Sequence, residues 1–281
     1  MNIDENVVES IVKRVVSQLS TETASAQTCP SGGDWGVFES MNDAVDAAVE
    51  AQREYLNHSM HDRACYVQAI RDVVLDQENL EYISRLAVEE TGMGGYEYKL
   101  IKNRLAAVKT PGIEDLTTDA MSGDDGLTLV EYSPFGVIGS ITPTTNPTET
   151  IICNSIGMLA AGNAVVFSPH PRAKKVSLHL IQLINKALCK AGAPANLVVT
   201  VSAPSIENTN AMMSHPKIRM LVATGGPAIV KTVLSSGKKA IGAGAGNPPV
   251  VVDETADIEK AAKDIVDGCS FEDRKSTRLN S

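Results

Sequence analysis

The stretch GVIGSITPTTNPTETIICNSIGMLAAGNAVVF, Gly136 to Phe167, decides the fold. It opens on an apolar run, GVIGSIT (Gly136–Thr142), breaks at PTTNP (Pro143–Pro147), continues as an apolar helix through Ala161 and closes on NAVVF (Asn163–Phe167). Short apolar runs bounded by turn residues read as buried strands, and the longer segment between them as a crossover helix. The same rhythm repeats downstream. SPHP and a helix from Ala173 to Ala191 lead to NLVVTV (Asn196–Val201), and a helix near Ile206–Met213 leads to IRMLVAT (Ile218–Thr224). GGP then opens a helix to Leu234, and PPVVVD (Pro248–Asp253) reads as a fifth strand before a helix from Asp257 to Val266. Such alternation predicts βαβ units and a parallel sheet covered by helices on both faces. Sheets of this kind bind ligands beyond the carboxyl ends of their strands, so the functional residues are expected in the loops that follow each run.

Upstream, residues 35–116 read as mostly helical: Asn42–Tyr55, Arg63–Leu75 and Leu80–Glu90, with a break at TGMGG (Thr91–Gly95). GLTLVEY (Gly126–Tyr132) alternates and reads as a strand. Residues 1–20 place Ile3, Val7, Ile11, Val15 and Leu19 on one helical stripe with Val8, Val12 and Val16 beside it. TETASAQTCPSGG (Thr21–Gly33) reads as a flexible linker that ends at residue 34. A short tethered helix cannot cover its own stripe. It packs on its own domain, self-associates, or docks in a groove on another protein.

The loops carry the chemistry. ThrGlyGlyPro (Thr224, Gly225, Gly226, Pro227) leads straight into a helix, where unpaired N–H groups attract phosphate; a tight turn needing glycine is the plainer alternative. GAGAG (Gly242–Gly246) precedes an apolar run and not a helix, so it lacks the context of a dinucleotide fingerprint. Asn146 in PTTNP either caps the following helix or donates its amide to a developing oxyanion. His170 in SPHP reads as a loop residue or a substrate contact.

Composition narrows the partners. The 281 residues are 43% hydrophobic and 21% charged, as in an ordinary globular protein, and no apolar run is long enough to cross a membrane. A net charge of -9 and 4% aromatics argue against nucleic acid. Five scattered cysteines (Cys29, Cys65, Cys153, Cys189, Cys269) without CxxC spacing argue against a disulfide framework or a metal site, and for a reducing cytoplasm.

Three segments taken together are specific: PFGVIGSITPTTNPTETIICNSIGMLAAGNAVVFSPHPRAKKVS, TGGPAIV and IGAGAGNPPVVVDETADIEKAA. They resemble the aldehyde dehydrogenase superfamily, and within it the CoA-acylating aldehyde dehydrogenases of bacterial microcompartments, of the propanediol-utilisation and ethanolamine-utilisation types. The likeness runs from Met1 to about Phe271 and includes ETGMG at Glu90–Gly94.

The resemblance implies an aldehyde dehydrogenase-like α/β fold with a Rossmann-like parallel sheet, and it assigns roles. Asn146 matches the oxyanion amide. Thr142, Pro143, Thr144 and Thr145, then Ser168, Pro169 and His170, then Thr224 to Pro227, and Gly242, Ala243 and Gly244, match the loops around NAD. Ser168 stands where hydrolytic relatives usually have a lysine. Gly242 stands where they have the glutamate that activates water, so the acyl group is expected to leave on coenzyme A. In the implied cycle a cysteine thiolate adds to a short-chain aldehyde, NAD is reduced, and CoA resolves the acyl-enzyme. The family position of that cysteine falls at Thr277, inside the polar tail EDRKSTRLNS (Glu272–Ser281), which departs from the family pattern. On this reading the chain is a C-terminally truncated fragment with a foreign tail, most of its catalytic domain is missing, and Cys269 does not replace the nucleophile. The fragment is then inactive by itself, a nucleotide-binding module or microcompartment cargo. Residues 1–20 are expected to dock on a shell protein, and the whole enzyme to be a homo-oligomer.

Overall fold

The strands form where β-branched runs can be buried on both faces, and they lie side by side in parallel. The structure is a computed structural model that describes residues 34–244 and 249–270. Its central sheet joins β1 (Val37–Phe38), β4 (Val137–Ile141), β5 (Ala164–Ser168), β6 (Val198–Val201), β7 (Ile218–Thr224) and β8 (Lys239–Ala243) in the order β1-β6-β5-β4-β7-β8. Every neighbouring pair is parallel. All residues of β4, β5 and β6 are buried, which is why these runs are continuously apolar and do not alternate.

Helices cover both faces. One face carries α5 (Pro147–Ala160) and α6 (Lys174–Lys190), with α2 (Met60–Leu75), α3 (Gln77–Thr91) and α4 (Tyr96–Lys109) packed outside them. The other carries α1 (Met41–Tyr55), α7 (Ile206–Ser214) and α8 (Pro227–Leu234). Along the chain the side changes between β6 and β7; in the sheet the switch falls between the neighbours β4 and β7, and this is the place where such sheets bind ligands. Local signals fix the helix ends. Ser59 and Asp62 form a reciprocal capping box at the start of α2, and Gly92 ends α3 in the left-handed conformation at φ 67°. Phe167, Ile151, Ile152, Leu159, Leu180 and Ile181 are fully buried between the layers, each worth about 1.5–3 kcal/mol.

Several boundaries differ from expectation. The fifth strand is not PPVVVD: among its described residues Val250, Val251 and Val252 are exposed and lie outside any strand. The edge position belongs to β8, KAIGA, which pairs with β7 from Met220–Lys239 to Thr224–Ala243. Gly242 and Ala243 therefore end a strand instead of preceding one. β1 and the exposed strand β2 (Asp119–Gly123), which pairs antiparallel with β3 (Gly126–Val130), were not expected. Cys189 is disulfide-bonded, so a cross-link stands where the scattered cysteines predict none. The last helix, α9, spans Ile258–Ser270. The helix expected over residues 1–20, nearly all of the linker 21–34, the tail 272–281 and Thr277 lie outside the described residues.

Candidate functional site

The register of the sheet gathers the predicted loops. Ile141 at the end of β4 pairs with Ser168 on one side and Ala223 on the other, and Ala223 pairs in turn with Gly242. One row of strand ends, Ser168–Ile141–Ala223–Gly242, thus brings four predicted segments to the same edge: 142–146, 168–170, 224–227 and 242–244. Two backbone bonds tie the loops together, Thr142 N–H to the Ser168 carbonyl (3.3 Å) and Gly225 N–H to the Ala243 carbonyl (3.2 Å).

At α8 the helix start is open to an anion. Its N-cap is Gly226, no side chain caps it, and Pro227 fills the first helical position. The Gly225 N–H is already spent on Ala243, so the donors left for a ligand are those of Gly226 and the first turn. Neither Gly225 nor Gly226 has a positive φ, and nothing lies within 4 Å of where a Gly226 side chain would begin. The tight-turn alternative therefore fails at Gly226, and the backbone stays accessible. Away from this helix start, a cleft of about 520 Å³ lies between the C-terminal parts of α7 and α8, lined by Asn210, Met213, Ser214, Lys231 and Thr232 among others. Its size is ordinary for a ligand pocket. None of the predicted residues lines it, and no sequence pattern marks it.

Ser168 is buried, and its hydroxyl meets that of Thr209 on α7 at 2.7 Å. His170 caps the short 3-10 turn Pro171–Ala173 by accepting the Arg172 N–H on Nδ1. Burial, then the Arg172 guanidinium, holds its imidazole below the usual range. Thr142 is 2% exposed, and its hydroxyl has no hydrogen-bond partner among the described residues. Gly242 faces α8: a Cβ there would lie 2.6 Å from Val230 Cγ1.

Asn146 stands at the N-cap of α5 yet makes no side-chain cap bond. Its Oδ1 accepts from Lys102 Nζ at 2.5 Å and faces Lys99 Nζ at 3.4 Å. Lys99, with a side chain 2% exposed, also donates to the Thr145 carbonyl and pairs with Glu149 Oε1 at 3.0 Å. Lys102 lies 3.6 Å from the same carboxylate oxygen. Sequence reading missed this cluster, since lysines on an amphipathic helix read as solvent-facing.

The described free thiols are Cys65, Cys153 and Cys269. Burial pushes the Cys153 thiol up, and Thr110 Oγ1 donates to its sulfur at 3.0 Å. That is the opposite of an activated thiolate.

Comparison with known proteins agrees with this architecture. The aldehyde dehydrogenase family model matches residues 36–273. The chain belongs to the aldehyde dehydrogenase family. A CoA-propanoylating propanal dehydrogenase of Salmonella typhimurium is 51% identical over 97% of the chain. The structure of Rhodopseudomonas palustris propionaldehyde dehydrogenase with bound CoA and an acylated cysteine is 78% identical over 85% of the chain, with a TM-score of 0.82. A propionaldehyde dehydrogenase from the fucose-utilisation microcompartment of Clostridium phytofermentans is 57% identical over 85%, with a TM-score of 0.80. The chain spans 57% of the Salmonella protein and 54% of each of these two structures. This aldehyde dehydrogenase sheet thus has the parallel strands, flanked by helices, that its apolar runs predict.

Proposed function

We propose that this chain supplies the nucleotide-binding side and the oxyanion amide of a CoA-acylating aldehyde dehydrogenase. The enzyme oxidises a short-chain aldehyde, propanal or acetaldehyde, with NAD and passes the acyl group to coenzyme A. The observation that carries the reading is the row Ser168–Ile141–Ala223–Gly242, which collects every proposed loop at one sheet edge. The open backbone at Gly226 and the uncapped start of α8 fit a pyrophosphate. When bound, NAD supplies the two-electron acceptor for the aldehyde carbon.

The chain's own residues do the rest of what is assigned to it. Gly226 and the first turn of α8 hold phosphate. Ser168 and His170 border the ribose side, where a lysine is absent. The Asn146 amide donates to the aldehyde oxygen as negative charge grows on it; one such donor is worth about 100- to 1,000-fold in rate. Position 242 carries no carboxylate, so no general base is offered to water, and a thiol acceptor wins the acyl group. The nucleophilic thiol is expected at the position that reads Thr277 here, and Cys153 lacks the environment of a replacement. The chain by itself is accordingly a binding module. Residues 1–20 are the segment proposed to reach a microcompartment shell protein, inside the cytoplasm.

Titration calorimetry of the purified chain with NAD and with CoA tests the binding side, and NADH formation with propanal, NAD and CoA tests turnover. The expected result is saturable heat with NAD and no NADH. Absence of heat with both ligands would overturn the nucleotide reading, and NADH formation would overturn the missing-thiol reading. Catalytic roles are read in a chimera that continues this chain after Phe271 with the C-terminal part of the Rhodopseudomonas enzyme.

A further inference from the structure

Lys99, Lys102, Glu149 and Asn146 form the most concentrated buried charge cluster beside the proposed site. An ammonium in a dry position is costly unless it is paired and hydrogen-bonded. Among the described residues Glu149 pairs with both ammonium groups, Lys99 at 3.0 Å and Lys102 at 3.6 Å, and its other oxygen accepts from Thr148 Oγ1 at 3.0 Å. The site is unfavourable for a structural pair. Both lysines stand at the N-terminus of α5, where the helix dipole disfavours positive charge. Glu149, at the third helical position, reaches to them instead of back to the N-cap N–H as in a capping box.

All of this expense converges on one amide. An ammonium has donors only, so the Asn146 atom facing both lysines is the oxygen, and the amide nitrogen takes the opposite corner of the group. A charge-assisted bond to Oδ1 draws electron density from the Nδ2–H bonds and makes them stronger donors.

We propose that Lys99, Lys102 and Glu149 are positioning residues: a clamp that fixes the Asn146 amide with Nδ2 outward and polarises it for an oxyanion. The proposal rests on the reading of Asn146 as the oxyanion donor and deepens it. Lys99, which also holds the Thr145 carbonyl, anchors the loop and the carboxylate. Lys102, less buried and bonded to Oδ1 at 2.5 Å, sets the amide.

The test reads the amide directly. The full chain is labelled with [15N]asparagine, and the Asn146 Nδ2 proton pair is identified by its loss in Asn146→Ala. Lys102→Met leaves the Lys99–Glu149 pair balanced, so the fold is expected to hold. In it, the Asn146 proton pair is expected to move upfield, and Lys102→Arg to return it. Lys102→Gln keeps a neutral donor and serves where Lys102→Met fails to fold, with a move in the same direction. A pair that stays at its wild-type position in Lys102→Met or Lys102→Gln overturns the clamp. The spectrum involves no turnover, so this failure is separate from that of the oxyanion reading, which shows as unchanged NADH formation by an Asn146→Ala chimera.

Discussion

Gly242 on β8 and Val230 on α8 are packed so closely that a Cβ at 242 would lie 2.6 Å from Val230 Cγ1. The glycine therefore does two things. It leaves the strand end without a carboxylate, and it lets α8 settle on the sheet edge. Gly242→Ala is expected to destabilise the chain by about 1–3 kcal/mol through overpacking. In a melt this reads as a fall of roughly 2–4 °C per kcal/mol for a domain of this size. Val230→Ala is expected to return part of the loss in the double variant. Equal melting temperatures for Gly242→Ala and the parent would show that the contact is not tight. Gly242→Glu is expected to lose stability too, and its side chain, aimed at α8, to give the chimera no hydrolytic activity.

Gly226 offers the converse case, a glycine whose side-chain space is empty. Its φ of -67° and ψ of 159° suit any N-cap residue. Gly226→Asp is therefore expected to keep the melting temperature or raise it slightly, because aspartate caps about as well as glycine or better. The new carboxylate would occupy the anion position at the start of α8 and repel a phosphate. Calorimetry is expected to show NAD affinity lowered at least about tenfold, or 1.4 kcal/mol. Unchanged affinity would place the pyrophosphate elsewhere.

Tyr66 gives the chain an alkaline limit. Its phenol is buried, donates to the Gly192 carbonyl at 3.1 Å and meets His58 Nδ1 at 2.7 Å; burial pushes its pKa up to about 12. The neutral form is thus favoured in the folded chain. Its stabilisation is complete below the unfolded tyrosine value of about 10 and is lost as pH rises from there through 12. Melting temperatures are expected to be flat to about pH 10 and to fall above it. Tyr66→Phe should start lower, for want of the Gly192 bond, and fall less steeply. Parallel curves for the two proteins would remove Tyr66 from the account.

The sheet was legible because buried parallel strands need continuous apolar runs, and IRMLVAT matches β7 residue for residue. β8 escaped because KAIGA is interrupted by glycine and begins at lysine, as an edge strand can, while the richer run Val250–Val252 found no strand to pair with among the described residues. β1 was too short for a period to show. The segments 142–146 and 224–227 were legible as loops because each follows an apolar strand run, whereas Gly242 and Ala243, read as lying before a strand, end β8. Lys99 and Lys102 were not legible as site residues. They reach Asn146 across 47 and 44 positions, and only tertiary packing brings α4 to the start of α5.

Asn146 itself separates its two possible roles in one experiment. A capping asparagine costs about 0.5–2 kcal/mol when replaced by alanine, because a helix N–H loses its acceptor. Here the side chain makes no cap bond, and its oxygen is turned to Lys102 and Lys99, both of which keep Glu149 as a partner. Asn146→Ala is therefore expected to shift the melting temperature of the chain only slightly. In the chimera the same substitution is expected to lower kcat by about 100- to 1,000-fold, with a much smaller change in KM for the aldehyde, because the donor matters most once charge has developed on oxygen. A large loss of stability with kcat preserved would assign Asn146 to the helix and not to the chemistry.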